Sequence, residues 1–422
     1  MTQTMSQRLL LNALGKLVRR GSLTIVTASG ERVVLGDGGL PRASIRFTDH
    51  AGERALLLDP ELQFGELFMN ARLLVEEGTV YDVLELLLRD ARQVDPGVSV
   101  RVLDKIRYSM RRVLQNNRPT RAQANVAHHY DLGDALYDLF LDADRQYSCA
   151  YFEHPGQSLE EAQLAKKRHI TAKLLVEPGQ RVLDIGCGWG GLARYLAAVT
   201  DAGEITGITL SQEQIATATR LKNDERLEYR LEDYRSTPGP FERIVSVGMF
   251  EHVGVGFHDA FFEKCRDLLT DDGVMLLHFI GKCNVPDFNH PWVEKYIFPG
   301  GHLASLSEVT ASIERSGLIV TDLEILRLHY ARTLSIWRER FMARREEAKA
   351  MYDERFCKMW EFYLSMAEAA FRFEDVAVFQ FQLAKRQENV PLTRDYMSAR
   401  KEELSRREAT VPGLVPRPVT VH

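Results

Sequence analysis

The sequence predicts an α/β fold, a doubly wound sheet of Rossmann-like type with a smaller unit ahead of it, and three observations predict it. From about residue 158 onward, strand-like and helix-like runs alternate along the chain, as they do where helices cover both faces of a parallel sheet. One strand-like run, RVLDIGCG, passes straight into glycines, with Gly186, Gly188 and Gly191 spaced as G-x-G-x-x-G ahead of a helical run. The length, 422 residues, exceeds one typical core and leaves room for a second.

The elements follow in order. Residues 5 to 95 read as a small mixed α+β unit: an amphipathic opening helix, short strands at SLTIV and ASIRF, then helical ELFMNARLLVEEG and YDVLELLLRDARQV. Between Pro96 and Thr120 the composition turns basic, with Arg101, Lys105, Arg107, Arg111, Arg112 and Arg118 against the single acid Asp104, and Pro119 near the end. This seam reads either as a solvated helix joining two domains or as a patch for anionic lipid headgroups, and the two are compatible. Strands are then expected at RVLDIGCG, EITGITL, LEYRLED, RIVSVGMF and GVMLLHFI, with helices at LARYLAAVT, SQEQIATATRLKND and DAFFEKCRDLL between them. Beyond a loop rich in Pro, Asn and Gly come the helix SLSEVTASIERSG, strand-like LEILRLHY, a long charged helix to about residue 370 and the closing strand VAVFQFQLAK. The expected divisions are therefore an N-terminal domain at 1–100, a basic linker at 101–120, the main domain at 121–396 with a helical insertion before its last strand, and a flexible tail at 397–422.

Composition narrows the function classes. With 45% hydrophobic and 27% charged residues the chain has ample material for a core, and its net charge of −5 gives no general attraction to nucleic acid, so no nucleic-acid partner is expected. No apolar run approaches the roughly 18 residues needed to span a bilayer, and the first residues lack the order of a signal peptide. The five cysteines, Cys149, Cys187, Cys265, Cys283 and Cys357, are odd in number and scattered, which reads as reduced thiols in a cytoplasmic protein. Neither they nor His128-His129 and Glu251-His252 have metal-site spacing, so no metal is expected.

The glycine turn needs a ligand identity. Asp184 stands just ahead of Gly186, Gly188 and Gly190, where a carboxylate would repel a pyrophosphate but suits the cationic amino end of S-adenosylmethionine. Thr209, Leu210 and Ser211 occupy the end of the second strand, where a dinucleotide site would carry an acid for the ribose. The residues therefore favour a class I S-adenosylmethionine-dependent methyltransferase sheet. In it Thr209 and Gln214 would hydrogen-bond the ribose or adenosine, and Tyr234 in the run EDYR, with Arg235 beside it, would stack on adenine. The plain alternatives are an empty tight turn for the glycines and a helix-cap carboxylate for Asp184.

Between residues 120 and 396 the chain resembles the cyclopropane-fatty-acyl-phospholipid synthase family and its mycolic-acid relatives. The likeness is carried by VAHHYDLGDALYDLFLD, RQYSCAYFE, VLDIGCGWGG, TLSQEQ, RIVSVGMFEHVG, LHFIG, FNHPWVEKYIFPGG, LHYARTL and VFQFQLAKRQENVPLTRDYM. The first unit, with FGELFMNARLLVEEGTVYDVLELL, resembles the lipid-associated domain of the bacterial phospholipid enzymes, which the shorter mycolic-acid enzymes lack. The resemblance implies transfer of a methylene from S-adenosylmethionine to the cis double bond of an unsaturated phospholipid, through a carbocation that must be kept from water. A base is required to take the proton lost on ring closure, and bound bicarbonate fits that role.

By the same resemblance the bicarbonate set falls on Cys149, Glu251, His278, Ile280 and Tyr330. Glu251 and Tyr330 would orient the anion, His278 would donate to it, and Ile280 would supply a backbone N–H. Cys149 is a pocket donor and not a nucleophile, having no adjacent base. Tyr147 and Ser148 match positions that contact the carboxylate end of the donor. Taken one at a time each residue has a plain alternative: a small buried thiol, a core histidine, a packing tyrosine, an ordinary polar turn. A cysteine that many relatives carry in the helix before the last strand is replaced by Ala367, and Cys357 lies about three turns away, so that cysteine is not needed here. Two other outcomes stay open: methyl-branched or methylene products without ring closure, and a non-catalytic lipid-binding protein. A substrate in a bilayer implies a peripheral membrane surface, for which the basic seam, the first domain and the helix with Trp337 and Phe341 are candidates; a homodimer would double such contacts.

Overall fold

In a computed structural model, residues 4–94, 98–114 and 133–415 are described, side chains at 98–99 and 111–114 excepted. The Arg118 and Pro119 end of the basic seam, His128-His129 and the start of the VAHHYDLGDALYDLFLD run lie outside the described residues, as does the expected boundary at residue 120. The chain divides into two compact units, and two internal segments join the N-terminal one.

The first unit takes residues 1–111, 288–299 and 334–376. Its sheet runs β2-β1-β3-β4, with β1 (Ser22–Val26), β2 (Arg32–Gly36), β3 (Arg42–Phe47) and β4 (Leu73–Glu77). β1 pairs parallel with β3, while β2 and β4 run antiparallel to their neighbours. LLVEE, expected to continue a helix, is β4. An apolar run this short suits either state, and pairing with β3 decides it. Trp292 packs edge-on against Phe362 at 4.6 Å between ring centroids, beneath the helix Pro60–Met69. A Cβ on Gly65 of that helix would stand 2.5 Å from the Trp292 indole nitrogen, so only glycine fits there.

The second unit takes residues 112–287, 300–333 and 377–422. Its seven-stranded sheet is ordered β10-β11-β9-β8-β5-β6-β7, from β5 (Arg181–Ile185), β6 (Glu204–Thr209), β7 (Leu227–Leu231), β8 (Phe241–Val247), β9 (Leu269–Lys282), β10 (Ile319–Ile325) and β11 (Val376–Ala384). β5 to β9 pair in parallel and β10 with β11 antiparallel. This mixed sheet is the α/β architecture expected. The chain leaves β5 toward β6 and β7, then returns to place β8 on the other side of β5. Such a reversal opens a crevice at the C-terminal ends of the strands.

Four expectations change. LEILRLHY is strand only to Ile325, because the β10 ladder with β11 ends there, and Tyr330 falls in the helix His329–Ala343. The long charged helix is three, His329–Ala343, Arg345–Met351 and Glu354–Phe373, the last started by Asp353, whose carboxylate accepts from the Phe356 N–H at 2.6 Å. Of the tail expected to fray at 397–422, the part to Glu408 instead belongs to the helix Asp395–Glu408, which buries Met397 and Leu404 and sets Glu408 against Arg168 at 2.6 Å and the Tyr195 hydroxyl at 2.5 Å, and 416–422 lie outside the described residues. Trp337 and Phe341 are fully buried, so they form no docking surface. Among the described residues no helix is long and apolar enough to cross a membrane.

Candidate active site

A cavity opens at the reversal point, at the end of β5. Gly186 there has φ +82°, and an added Cβ would lie 2.6 Å from that of Met249 at the end of β8. Only a glycine lets the two strand ends approach this closely. The cavity is lined by Tyr147, Ser148, Asp184, Gly186, Gly188, Thr209, Leu210, Gln214, Tyr234 and Arg235 among the residues expected to bind the cofactor.

Two expected contacts stand outside the cavity wall. Gly190 starts the helix Gly191–Val199 in a left-handed conformation and packs under Tyr229, whose hydroxyl donates to its carbonyl at 3.1 Å. Ser211 caps the helix Gln212–Arg220, its hydroxyl accepting from the Gln214 N–H at 3.3 Å. Gly190 acts there through its backbone and Ser211 through its capping hydroxyl.

Asp184 is 1% exposed and caps no helix. Its Oδ2 is buried without a hydrogen-bond partner, and burial pushes the carboxyl up to about 7 against the pull of Lys166. An orphaned buried carboxylate oxygen facing a cavity fits a cationic ligand group. Thr209 donates to Gln214 Oε1 at 2.9 Å, which leaves the amide NH₂ of Gln214 as its donor end. Tyr234 packs edge-on against Phe261 at 5.3 Å, and Arg235, paired with Asp233 at 2.6 Å, lies 5.5 Å from the Tyr234 ring.

Lys166, on the helix Leu159–Leu174, also lines the cavity and was missed by sequence reasoning. It is 1% exposed, and its ammonium donates to Gln146 Oε1 and Ser148 Oγ, both at 2.8 Å. Burial pushes it down to about 7. A signal existed: Ala162, Lys166 and Ile170 recur every fourth residue, which puts a lysine on the core face of its helix. Arg145, Trp189 and His252 are among the other lining residues missed, and burial lowers His252 to about 4.

The five residues expected at the chemistry are absent from that lining, although Cys149 directly follows Ser148 and Glu251 directly precedes His252 in the chain. Glu251 lies on the turn Phe250–His252 after β8, and its Oε1 accepts the Ile280 N–H at 2.7 Å. Burial pushes this carboxyl up to about 7, opposed by the Ile280 bond, and its Oε2 is buried with no partner. The Ile280 N–H, expected to face an anion, is thus taken up by Glu251 and positions its carboxylate. His278, two residues before Ile280 on β9 and therefore on the same face, is 2% exposed, and burial pushes it down to about 3.

Cys149 and Tyr330 lie on two segments that hydrogen-bond to each other. Cys149 is 1% exposed, and burial holds its thiol well above the usual range, so it carries no thiolate. The next residues are stitched to the helix of Tyr330: Ala150 N–H donates to Thr333 Oγ1 at 3.1 Å and Phe152 N–H to His329 Nδ1 at 3.0 Å. Tyr330 is 6% exposed. Among the described residues no cluster of three or more His, Cys, Asp and Glu side chains is placed to hold a metal.

Residues 117–381 match the mycolic acid cyclopropane synthetase family. The chain belongs to that family. The cyclopropane-fatty-acyl-phospholipid synthase of Escherichia coli K12 is 40% identical over 286 residues, covering 68% of this chain and 74% of that one. The solved cyclopropane synthase MmaA2 of Mycobacterium tuberculosis is 35% identical with a TM-score of 0.59, covering 62% of this chain and 98% of that one. The mycolic acid cyclopropane synthase CmaA1, solved with SAH and CTAB, is 36% identical with a TM-score of 0.59, covering 62% and 97%. The fold is that of a class I S-adenosylmethionine-dependent methyltransferase. The two mycolic enzymes are matched almost end to end, so this chain carries sequence they do not have.

Proposed function

We propose that this protein is a cyclopropane-fatty-acyl-phospholipid synthase, which adds a methylene from S-adenosylmethionine across the cis double bond of an unsaturated phospholipid acyl chain. The observation that carries the reading is the pairing of a cavity bearing the unpartnered Asp184 carboxylate with a second buried carboxylate, Glu251, also one partner short. The Escherichia coli relative bears the phospholipid enzyme's name, and this chain extends beyond the mycolic enzymes at the N-terminal side, outside the matched family region.

S-adenosylmethionine supplies the methyl group and bicarbonate the base that receives the proton lost as the ring closes. Asp184 would meet the α-ammonium of the donor, and Tyr147 and Ser148 its carboxylate, with Lys166 behind Ser148 adding positive charge. Thr209 and Gln214 would hold the ribose, and Tyr234 the adenine. The orphaned Glu251 Oε2 is where a bicarbonate would be gripped, with His278 and Tyr330 as further partners. A carboxyl near 7 gives or takes a proton readily at neutral pH, which suits Glu251 to a relay. Burial of Glu251, His278 and Cys149 keeps water from the reacting carbon.

The membrane is met as a peripheral surface. The helix Val98–Leu114 leaves Val102, Ile106 and Met110 about half exposed at four-residue spacing, with exposed Arg101 and Lys105 beside them. An apolar stripe edged by cations suits an anionic bilayer. A homodimer presenting two such helices would strengthen a weak contact. Flotation with phosphatidylglycerol vesicles tests this: replacing the three apolar residues by serine abolishes co-flotation and leaves S-adenosylmethionine binding intact.

The chemistry is tested by incubating the protein with labelled S-adenosylmethionine and cis-unsaturated phospholipid vesicles, with Glu251→Ala as control. The expected fatty acid gains one CH₂ and has no double bond left to hydrogenate. The same gain with the double bond retained means methylation without ring closure. Absence of label from lipid overturns the assignment.

A further inference from the structure

Lys173 is fully buried at the end of the helix Leu159–Leu174. Two glutamines, two residues apart on β11, engage it: Gln382 Nε2 donates to its carbonyl at 2.6 Å, and Gln380 Oε1 accepts from its ammonium at 2.9 Å. Glu324 on β10 pairs with the same ammonium and with His169 Nε2, the latter at 2.6 Å. The other end of the Gln380 amide, its Nε2, lies 3.1 Å from His278 Nδ1.

The direction of these bonds is fixed by chemistry. An ammonium is donor only, so the amide end that meets Lys173 must be the oxygen. The NH₂ end is then a donor to His278 Nδ1, and a ring nitrogen that accepts has no proton of its own. Burial keeps the ring neutral, with its pKa pushed down to about 3, so its single proton belongs on Nε2. Turning Gln380 over would set its NH₂ against the buried ammonium and leave two donors facing each other.

We propose that Lys173 and Gln380 are positioning residues that hold His278 in the Nε2–H tautomer, so that it presents a donor to the anion at the reaction site. The inference rests on the reading of His278 given above. Neither residue touches substrate; both act through the imidazole. The donor-to-acceptor direction runs outward from Lys173, to the Glu324 carboxylate on one side and through the Gln380 amide to His278 on the other, and the ammonium at its origin is what fixes the far end.

The test uses the whole protein labelled with ¹⁵N-histidine, the His278 signal being assigned by its loss in His278→Gln. In the wild type, the nitrogen shifts should report Nε2–H. Gln380→Glu is nearly the same shape, but a carboxylate held ionised by Lys173 has no proton to give, so Nδ1 must become the protonated nitrogen. With it, kcat should fall by about a hundredfold, as when one transition-state donor is lost, while KM for S-adenosylmethionine stays within about twofold. Should that variant fail to fold, Lys173→Met frees the amide to turn and should give mixed tautomers with a smaller loss of kcat. A wild-type proton on Nδ1, or a tautomer unmoved in whichever variant folds, overturns the proposal. A moved proton with unchanged kcat also overturns it, and His278→Gln then separates the two ideas: if inactive, the role of His278 stands without the relay; if fully active, that role falls as well.

Discussion

Asp184 and His278 are both buried polar side chains on one sheet, yet their surroundings are opposite. Asp184 lines a cavity with one oxygen lacking any partner, while the His278 ring is held through Gln380, Lys173 and Glu324 by three other segments of the chain. An orphaned carboxylate oxygen in a cavity wall suits a cationic group, whereas a ring nitrogen that accepts a hydrogen bond settles the role of the other one. The cavity is built mostly from short local runs within residues 145–148, 184–192, 208–214, 232–235 and 247–253, with Lys166 and Ile170 added from the helix Leu159–Leu174. The residues proposed for the chemistry, Cys149, Glu251, His278 and Tyr330, come from four separate segments, and His278 is linked through Gln380 to Lys173.

The largest expected effect breaks the chemistry half alone. Glu251→Gln keeps the shape but loses the titrating carboxylate, and kcat should fall by about a thousandfold. Binding of S-adenosylmethionine, measured by calorimetry, should be unchanged, because Glu251 is outside the cavity lining. Equal losses in both would mean that the two halves are not separable.

Asp184→Asn should do the reverse. S-adenosylmethionine binding should weaken by about a hundredfold, as for removal of one side of a buried charge pair. The unliganded protein should gain stability at pH 8. The unfolded carboxyl releases its proton near 3.8 and the folded one near 7. Between those values the folded state binds the extra proton, so wild-type stability falls as pH rises through the window. Asparagine does not titrate, and its melting-temperature advantage should grow from pH 4 to pH 8. A pH-independent difference would mean that Asp184 is not buried as a charge.

The first unit offers a control that shares no residue with either group. Gly65→Ala forces a methyl against Trp292 and Phe362 and should cost about 1 to 3 kcal/mol of stability, read by thermal unfolding. Binding of S-adenosylmethionine to the protein that remains folded should not change.

The same contrast explains what the sequence disclosed. Gly186, Asp184, Thr209 and Gln214 are legible because a strand, a turn and a helix cap place them locally. Lys173 and Gln380 are 207 positions apart, and no periodicity announces that a lysine and a strand glutamine will meet. The part played by Ile280 is a backbone N–H, which side-chain identity does not reveal. The membership of residues 288–299 and 334–376 in the first unit was equally invisible, because packing in space, not order along the chain, defines a core.

Ser211 gives the smallest effect and the sharpest distinction. It was expected to touch the cofactor, but its hydroxyl accepts the Gln214 N–H at 3.3 Å as the cap of the helix that carries Gln214. If capping is its work, Ser211→Ala should cost about 1 kcal/mol of stability. The loss in S-adenosylmethionine affinity should be slight, since Thr209 still fixes Gln214 Oε1 at 2.9 Å. Ser211→Gly should recover most of the stability, because glycine is nearly as good at that position. A direct contact with the ligand would give another pattern: affinity would fall as far in the glycine variant as in the alanine one, with stability restored and binding not. Measuring both quantities in both variants separates a residue that binds from one that shapes the residue that binds.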